Sequence, residues 1–204
     1  MKRLYTYLSK KLAEQGTIKY EDIEVCTYGM ETFVFSCFEI FSVLLISLLV
    51  KNFFATVIFF VSFVPLRMYA GGYHSETKKG CYMVMLVVYL IFTLSLRFSP
   101  KNHIQLIEII ISSFTSFMVL RFAPIVNYKK RVNEIEKKNY KKIALKIICV
   151  QSIVVLFFVI VYPYNIYGLA FSLGQLTVAV SMLAVVVKNK KKGGGLNEKN
   201  ERNA

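Results

Sequence analysis

The chain has 204 residues, a net charge of +14 and a mean hydropathy of +0.50, and 55% of its residues are hydrophobic. This hydrophobicity excludes an intrinsically disordered chain, and its four scattered cysteines exclude a disulfide scaffold. A nucleic-acid-binding protein can carry such a charge but not such long uncharged apolar segments, so nucleic acid is not an expected partner. The composition predicts a small all-α integral membrane protein with basic flanking segments.

The first 15 residues predict an amphipathic helix that lies in the membrane interface. Leu4, Leu8 and Leu12 follow one another at a spacing of four residues, which places them on one face of a helix. Basic residues surround this apolar face, as expected for a helix bound to the surface of anionic lipid. A short solvated helix without a special role is the alternative.

Six apolar segments of about the length needed to cross a bilayer follow this helix. They cover residues 32–50, 53–67, 82–98, 104–122, 144–162 and 166–187. The second is short and ends in Pro65 and Arg67, so the second and fifth segments could be broken or re-entrant, which would leave four full spans. The sequence thus predicts about six hydrophobic helical segments in one membrane-embedded domain over residues 1–187, with a disordered basic tail at 188–204.

The distribution of Lys and Arg predicts the orientation of these segments. With six spans, 23 of the 26 basic residues fall on the side that carries both termini. Because cytoplasmic loops carry an excess of Lys and Arg, both termini are expected in the cytoplasm. The largest cluster, in loop 121–146, includes Lys129, Lys130 and Arg131, and two roles explain it: attraction to anionic lipid and docking of an acidic partner.

Two residues of the inner loop between the second and third segments could carry chemistry. His74 lies in a glycine-rich stretch after Gly71 and Gly72, and Cys81 opens the third segment. At a helix start, free N–H groups and the helix dipole favour a thiolate, and His74 could accept the thiol proton. Seven residues of continuous helix span about 10.5 Å, so the pair needs a chain that folds back, which glycine permits. A chance His and Cys in an ordinary loop is the alternative.

Other site chemistries depend on weaker patterns. The two histidines are 29 residues apart on opposite predicted sides, and no cysteine pair has zinc-ligand spacing, so neither a metal nor a cofactor is expected. Glu31 and Arg67 fall at a similar depth and could pair, although each could also reach the interface separately. Gln175 and Glu76 are candidates to orient the histidine, and N–H groups at the start of the third segment, including that of Cys81, are candidate oxyanion donors.

The string that combines Arg67, Gly71, Gly72, His74 and Cys81 resembles the accessory gene regulator B (AgrB) family. Its members are membrane cysteine endopeptidases of Gram-positive quorum sensing, whose pattern is an Arg, a Gly-rich turn, a His and, seven residues later, a Cys at a helix start. Weaker similarities lie at residues 24–31, 123–130 and 174–177, so the resemblance extends from residue 1 to about 187.

The resemblance implies a role for each residue of the string and a substrate class. Cys81 would be the nucleophile and His74 the general base. The substrate would be an AgrD-like precursor peptide with an amphipathic leader and an acidic C-terminal tail, which Lys129, Lys130 and Arg131 would dock. Arg67, Gly71 and Gly72 would be supporting residues, and Glu31 and Gln175, chosen above on their own patterns, are further candidates for support.

The resemblance further implies that removal of the tail through an acyl-enzyme leads to a thiolactone or lactone autoinducing peptide for quorum sensing and virulence regulation. It implies a multi-pass protein of the bacterial cell membrane, with its active site near the cytoplasmic face and the capacity to form a homodimer. A non-enzymatic transporter or peptide-export subunit is the alternative.

Overall fold

A computed structural model describes residues 2–72, 77–125 and 134–201, without the side chains of Lys2, Lys101, Glu134 and residues 189–201. Over these residues the chain is helical and forms no strand, although a parallel bridge joins Gly71 to Ile125. The α-helices are α1 (Lys2–Glu14), α2 (Ile23–Leu49), α3 (Phe53–Ala70), α4 (Lys78–Phe98), α5 (Ile104–Phe122), α6 (Glu134–Val161) and α7 (Ile166–Glu201).

Six of the described helices, α2 to α7, are long and apolar enough to cross a membrane. Large hydrophobic side chains cover much of their outer surface; on α4, for example, Val87, Leu90 and Ile91 are more than half exposed. An apolar surface of this extent is stable in lipid rather than in water. The chain is therefore a multi-pass membrane protein, and the prediction of about six hydrophobic helices is confirmed.

The second and fifth apolar segments form continuous helices. α3 has 18 residues, which corresponds to about 27 Å and nearly equals the hydrocarbon thickness of a bilayer. Pro65 lies inside α3, and a proline is tolerated in a membrane helix where neighbouring helices cover the freed backbone. The adjacent Leu66 is completely buried, so this part of α3 has such cover. Neither α3 nor the 28-residue α6 is broken.

The chain divides into two compact units, one up to Leu49 and one from Val50 onward. In the first unit, α1 packs on α2 where the Thr27 hydroxyl donates to the buried Ser9 hydroxyl at 3.0 Å. Leu4 and Leu8 of α1 are exposed, which suits an interfacial helix. The interfacial location of α1 and the single domain over residues 1–187 stay predictions.

In the second unit, α7 packs against α3, α4, α5 and α6, most extensively against α3. Gly174 permits the close approach, because a Cβ there would lie 2.6 Å from the Phe59 carbonyl oxygen. Where the C-terminal end of α3 meets α7, an apolar cluster joins four helices. Its buried members are Leu66, Ala70, Val119, Ala123, Ala144, Ile148, Val178 and Met182. This cluster holds the end of α3 in place, and the candidate site is built there.

α7 is longer than the sixth apolar segment. It ends at Glu201, and the disorder predicted for residues 188–204 stays a prediction. Adding turns to an existing helix is easier than starting one, because propagation gains one hydrogen bond for each residue that is fixed. The location of both termini in the cytoplasm stays a prediction.

Candidate active site

Cys81 lies in the first turn of α4, as its fourth residue. Thr77 caps this helix, because its side-chain oxygen accepts a hydrogen bond from the Gly80 N–H at 3.1 Å. The helix begins at Lys78, four residues before the apolar segment, so that the cap rather than hydrophobicity determines its start. The half-buried thiol of Cys81 is thus near the positive end of the helix dipole, as the sequence predicts.

The backbone N–H of Cys81 is not available as an oxyanion donor, which corrects the sequence-based interpretation. It donates to the Thr77 carbonyl oxygen at 3.0 Å and so closes the first hydrogen bond of the helix. The N–H of Gly80 is likewise bound, to the Thr77 hydroxyl. The first turn of α4 thus uses the N–H groups of both Gly80 and Cys81 for its own hydrogen bonds.

The guanidinium group of Arg67 is held between the end of α3 and α7. Its Nη1 donates to the Gly71 carbonyl oxygen at 2.9 Å and to the Ser181 hydroxyl at 2.8 Å. The Ser181 hydroxyl in turn donates to the Val178 carbonyl oxygen at 2.7 Å. Arg67 also interacts electrostatically with Cys81. These contacts bring Arg67 and Cys81 into one site, although they lie on different helices.

Two glycines make room for this arrangement. Gly71 has a φ of 79° and Gly72 a φ of 137°, a backbone conformation that other residues adopt only with strain. A Cβ on Gly72 would collide with the Nη1 atom of Arg67 and with the Ser181 hydroxyl. A Cβ on Gly71 would collide with the carbonyl oxygen of Ile125, which follows α5. The turn after α3 can therefore accommodate the guanidinium group only because both positions lack a side chain.

The four cysteines are all free thiols, and their surroundings differ. Cys37 and Cys149 are exposed on apolar helices, and Cys26 lies near the start of α2 among acidic residues. Cys81 combines a place in a first helical turn with the electrostatic contact to Arg67. Among the residues that the structure describes, no group of three or more His, Cys, Asp or Glu could hold a metal ion.

Two intervals outside the described residues contain further candidates. Residues 73–76 contain His74 and Glu76, and residues 126–133 contain Lys129, Lys130 and Arg131. Their roles stay predictions. The described residues at the start of each interval lie close together, because Gly71 is bridged to Ile125.

The remaining two candidates lie inside helices. Glu31 is a half-buried residue of α2, and its pairing with Arg67 stays a prediction. Gln175 is completely buried in α7, and its Nε2 lies 3.4 Å from the side-chain oxygen of Gln151. Gln151 itself donates to the Ser62 carbonyl oxygen at 2.8 Å. Six residues of helix, about 9 Å, separate Gln175 from the α7 contact of Arg67, and its catalytic support stays a prediction.

A basic surface adjoins the end of α3. Its described members, all exposed in the first turns of α6, are Lys137, Lys138, Lys141 and Lys142. Among them, Tyr140 contacts Tyr69 with ring centroids 6.1 Å apart. Tyr69 follows Arg67 by two residues, so the start of α6 lies beside the candidate site.

The sequence did not identify three contributors to the site. Thr77 stands directly before the helix, and the N-cap preference of threonine could have found it. Ser181 is a polar residue in an apolar span, which is a signal for function, but its partner depends on how α3 packs against α7. Ile125 contributes only backbone, which leaves no signal in the sequence.

Comparison with known proteins shows one family. Residues 1–184 match the sequence profile of the family described as Accessory gene regulator B. An AgrB-like protein of Clostridium perfringens strain SM101 is 28% identical over 193 residues, which cover 92% of this chain and 86% of that protein. Accessory gene regulator protein B of Staphylococcus intermedius is 25% identical over 166 residues, which cover 79% and 85% respectively. No solved structure matches the chain.

Gly72→Ala should move the Arg67 guanidinium away from Cys81, because the new methyl group would occupy the place of Nη1. The substitution is made in a background whose other three cysteines are serine. We expect N-ethylmaleimide to label Cys81 about three- to tenfold more slowly at neutral pH than in that background alone. This factor corresponds to the loss of about 0.7–1.4 kcal/mol of charge interaction. Gly29→Ala is the matched control, since nothing lies within 4 Å of a Cβ at that helical position. Equal labelling rates in the two variants would contradict the interpretation.

Proposed function

The chain belongs to the accessory gene regulator B family, and from this we propose that it is a membrane cysteine endopeptidase with Cys81 as its nucleophile. The family acts in accessory gene regulator quorum sensing and is linked with the processing of AgrD-type peptides. The observation that carries the proposal is the convergence of a capped helix start and the Arg67 guanidinium on one thiol. Both features favour a thiolate, which is the reactive form of cysteine.

The fixed position of the guanidinium supports this role for Cys81. An exposed arginine would be strongly screened by water, whereas Arg67 is half-buried and bonded to Gly71 and Ser181. A preorganised positive group at a partly desolvated site stabilises a nearby anion more than a mobile surface charge does. Arg67 thus supplies a permanent field, and a separate base is needed only for proton transfer.

His74 is the proposed base. It takes the proton of the Cys81 thiol, and the sulfur attacks the substrate carbonyl that precedes the acidic tail. When the tetrahedral intermediate collapses, the C–N bond breaks and His74 returns the proton to the leaving amine. The tail departs with a free amino group, and the remaining peptide stays on Cys81 as a thioester.

Cyclisation completes the reaction. An internal thiol of the precursor attacks the thioester carbonyl, its proton passes to the Cys81 sulfur, and a thiolactone is released; an internal hydroxyl would give a lactone. Exchange of one thioester for another is nearly balanced in free energy. Formation of a thioester from an amide is uphill, so removal of the released tail must help to drive the first step.

Water must be kept from the thioester for long enough to allow ring closure. Cys81 is half-buried, and the neighbouring turn residue Gly72 is buried. The apolar cluster at the end of α3 contains Leu66 and Ala70, which flank Arg67 in the sequence. A site backed by packed helix ends restricts the access of water better than an open loop does, and this favours attack by the tethered thiol.

The acidic tail is proposed to dock on the basic cytoplasmic surface. The exposed lysines at the start of α6 lie beside the end of α3, and Ile125, which precedes the loop with Lys129, Lys130 and Arg131, is bridged to Gly71. Complementary charge mainly accelerates encounter and sets the register of the bound peptide. The same surface would attract anionic lipid, which would hold an amphipathic leader near the site.

Cys81→Ala and His74→Ala should each abolish release of the tail from a co-expressed AgrD-like precursor, because one removes the nucleophile and the other the proton acceptor. The measurement is mass spectrometry of the peptide products. Cys149→Ala is the matched control, since Cys149 is also a free thiol in a helix but lies on an exposed apolar face. Tail release that survives both active-site substitutions would exclude the endopeptidase and favour a transport role.

Reversal of charge at Lys129, Lys130 and Arg131 to Glu should slow processing by about tenfold and remove most of its salt dependence, since steering by charge is screened by ions. The control reverses Lys190, Lys191 and Lys192, which changes the net charge equally elsewhere in the sequence. Processing rates are compared at low and high salt. Unchanged processing in the loop variant would contradict docking of the tail there.

A further inference from the structure

We infer that Ser181 of α7 is a positioning residue that aims the Arg67 guanidinium at Cys81. The inference rests on the proposed function, because it assigns Ser181 a part in activating the same thiol. Ser181 lies 114 residues from Arg67 in the sequence, and it meets Arg67 because α3 packs against α7.

The hydrogen-bond directions at Ser181 are fully assigned by its neighbours. Its hydroxyl proton goes to the Val178 carbonyl oxygen at 2.7 Å. The oxygen therefore presents only acceptor sites to its surroundings, and the Arg67 Nη1 occupies one of them at 2.8 Å. A hydroxyl that already donates is a better acceptor, because the two bonds polarise each other.

Packing fixes the position of this acceptor. Val178 and Met182, on either side of Ser181 in α7, are completely buried in the apolar cluster, as are Leu66 and Ala70 on either side of Arg67. Because both backbones are held, the Ser181 oxygen cannot follow a guanidinium group that turns away. Arg67 has many rotamers and could otherwise reach toward the aqueous interface.

The Ser181 hydroxyl and the Gly71 carbonyl oxygen both anchor the Arg67 guanidinium. Without the hydroxyl, only the Gly71 carbonyl contact of this pair would remain. The Gly71 carbonyl belongs to the turn after α3 and Ser181 to α7, so the two anchors hold the guanidinium from different elements. The expected consequence is a guanidinium group that spends less time near Cys81, with a smaller fraction of thiolate at neutral pH.

Thr177 offers a matched control on the same helix. It is half-buried like Ser181, lies one turn earlier, and its hydroxyl donates to the Leu173 carbonyl oxygen of its own helix at 2.9 Å. Thr177→Ala and Ser181→Ala therefore each remove a hydroxyl that bonds to the backbone of α7. The contact with Arg67 distinguishes the two positions.

The test uses full-length protein in membranes, with Cys26, Cys37 and Cys149 replaced by serine and N-ethylmaleimide as the probe. The labelling rate of Cys81 is measured at pH 7 and at about pH 9.5, where a free thiol is mostly ionised. Ser181→Ala should lower the ratio of the neutral to the alkaline rate about three- to tenfold, whereas Thr177→Ala should leave it unchanged. Equal ratios in these two variants would overturn the inference.

Two further comparisons separate positioning from a general structural effect. Arg67→Gln should lower the ratio, and Ser181→Ala added to it should lower it no further, because both act through the same guanidinium group; fully additive effects would overturn the inference. Ser181→Thr and Ser181→Val have nearly equal volume, so they serve if the alanine variant folds poorly. Ser181→Val should lower the ratio of the neutral to the alkaline labelling rate of Cys81, whereas Ser181→Thr should leave it unchanged. Equal ratios in these two variants would also overturn the inference.

The outcome is separate from that of the proposed function. Labelling reports the state of the Cys81 thiol without any peptide substrate, whereas tail release reports proteolysis. If the labelling ratios follow expectation while tail release survives Cys81→Ala, the positioning role stands and the endopeptidase assignment fails. If tail release requires Cys81 but Ser181→Ala labels like Thr177→Ala, the endopeptidase stands and the positioning role fails.

Discussion

The guanidinium group of Arg67 is a charge placed where apolar helices end, and the surrounding structure is arranged to hold it. A charged group among apolar side chains is unstable unless acceptors surround it. Here the Gly71 carbonyl and the Ser181 hydroxyl supply these acceptors, and Gly72 leaves the space that the guanidinium fills. These contacts of the guanidinium form only if α3 ends at the right residue, the turn after it has the observed conformation, and α7 places Ser181 next to Arg67.

This constraint joins parts of the molecule that are distant in the sequence. Leu66 and Ala70 of α3 pack in the same cluster as Val178 and Met182 of α7. The turn that follows α3 is paired with Ile125 at the end of α5. A change in the packing of α3 against α7 would therefore alter the position of Arg67.

The location of the site at helix ends meets two opposing requirements of the proposed reaction. An acidic peptide tail needs access to the basic surface formed in part by the first turns of α6. The thioester, in contrast, needs protection from water. A half-buried thiol in the first turn of α4, next to a packed cluster, lies at the boundary between these environments.

The sequence predicts the apolar helices and the place of Cys81 at a helix start well because hydropathy and spacing are local properties. The six apolar helices and the place of Cys81 at a helix start could both be read directly. Helix limits were less accurate: α2 begins at Ile23 and α4 at Lys78, several residues before the apolar segments. Polar residues and a threonine cap begin these helices, and hydropathy does not register them. Ser181 could not be assigned, because its partner lies on another helix.

The proposed reaction requires that Cys81 carries the peptide as a thioester. A precursor whose internal thiol is replaced by alanine cannot close its ring, so the intermediate should accumulate when this precursor is mixed with the protein in membranes. Mass spectrometry should then detect a covalent adduct on Cys81 that consists of the precursor after loss of its tail. Hydroxylamine, which cleaves thioesters, should remove this adduct. Tail release without any adduct on Cys81, or with an adduct on another residue, would exclude Cys81 as the acyl carrier.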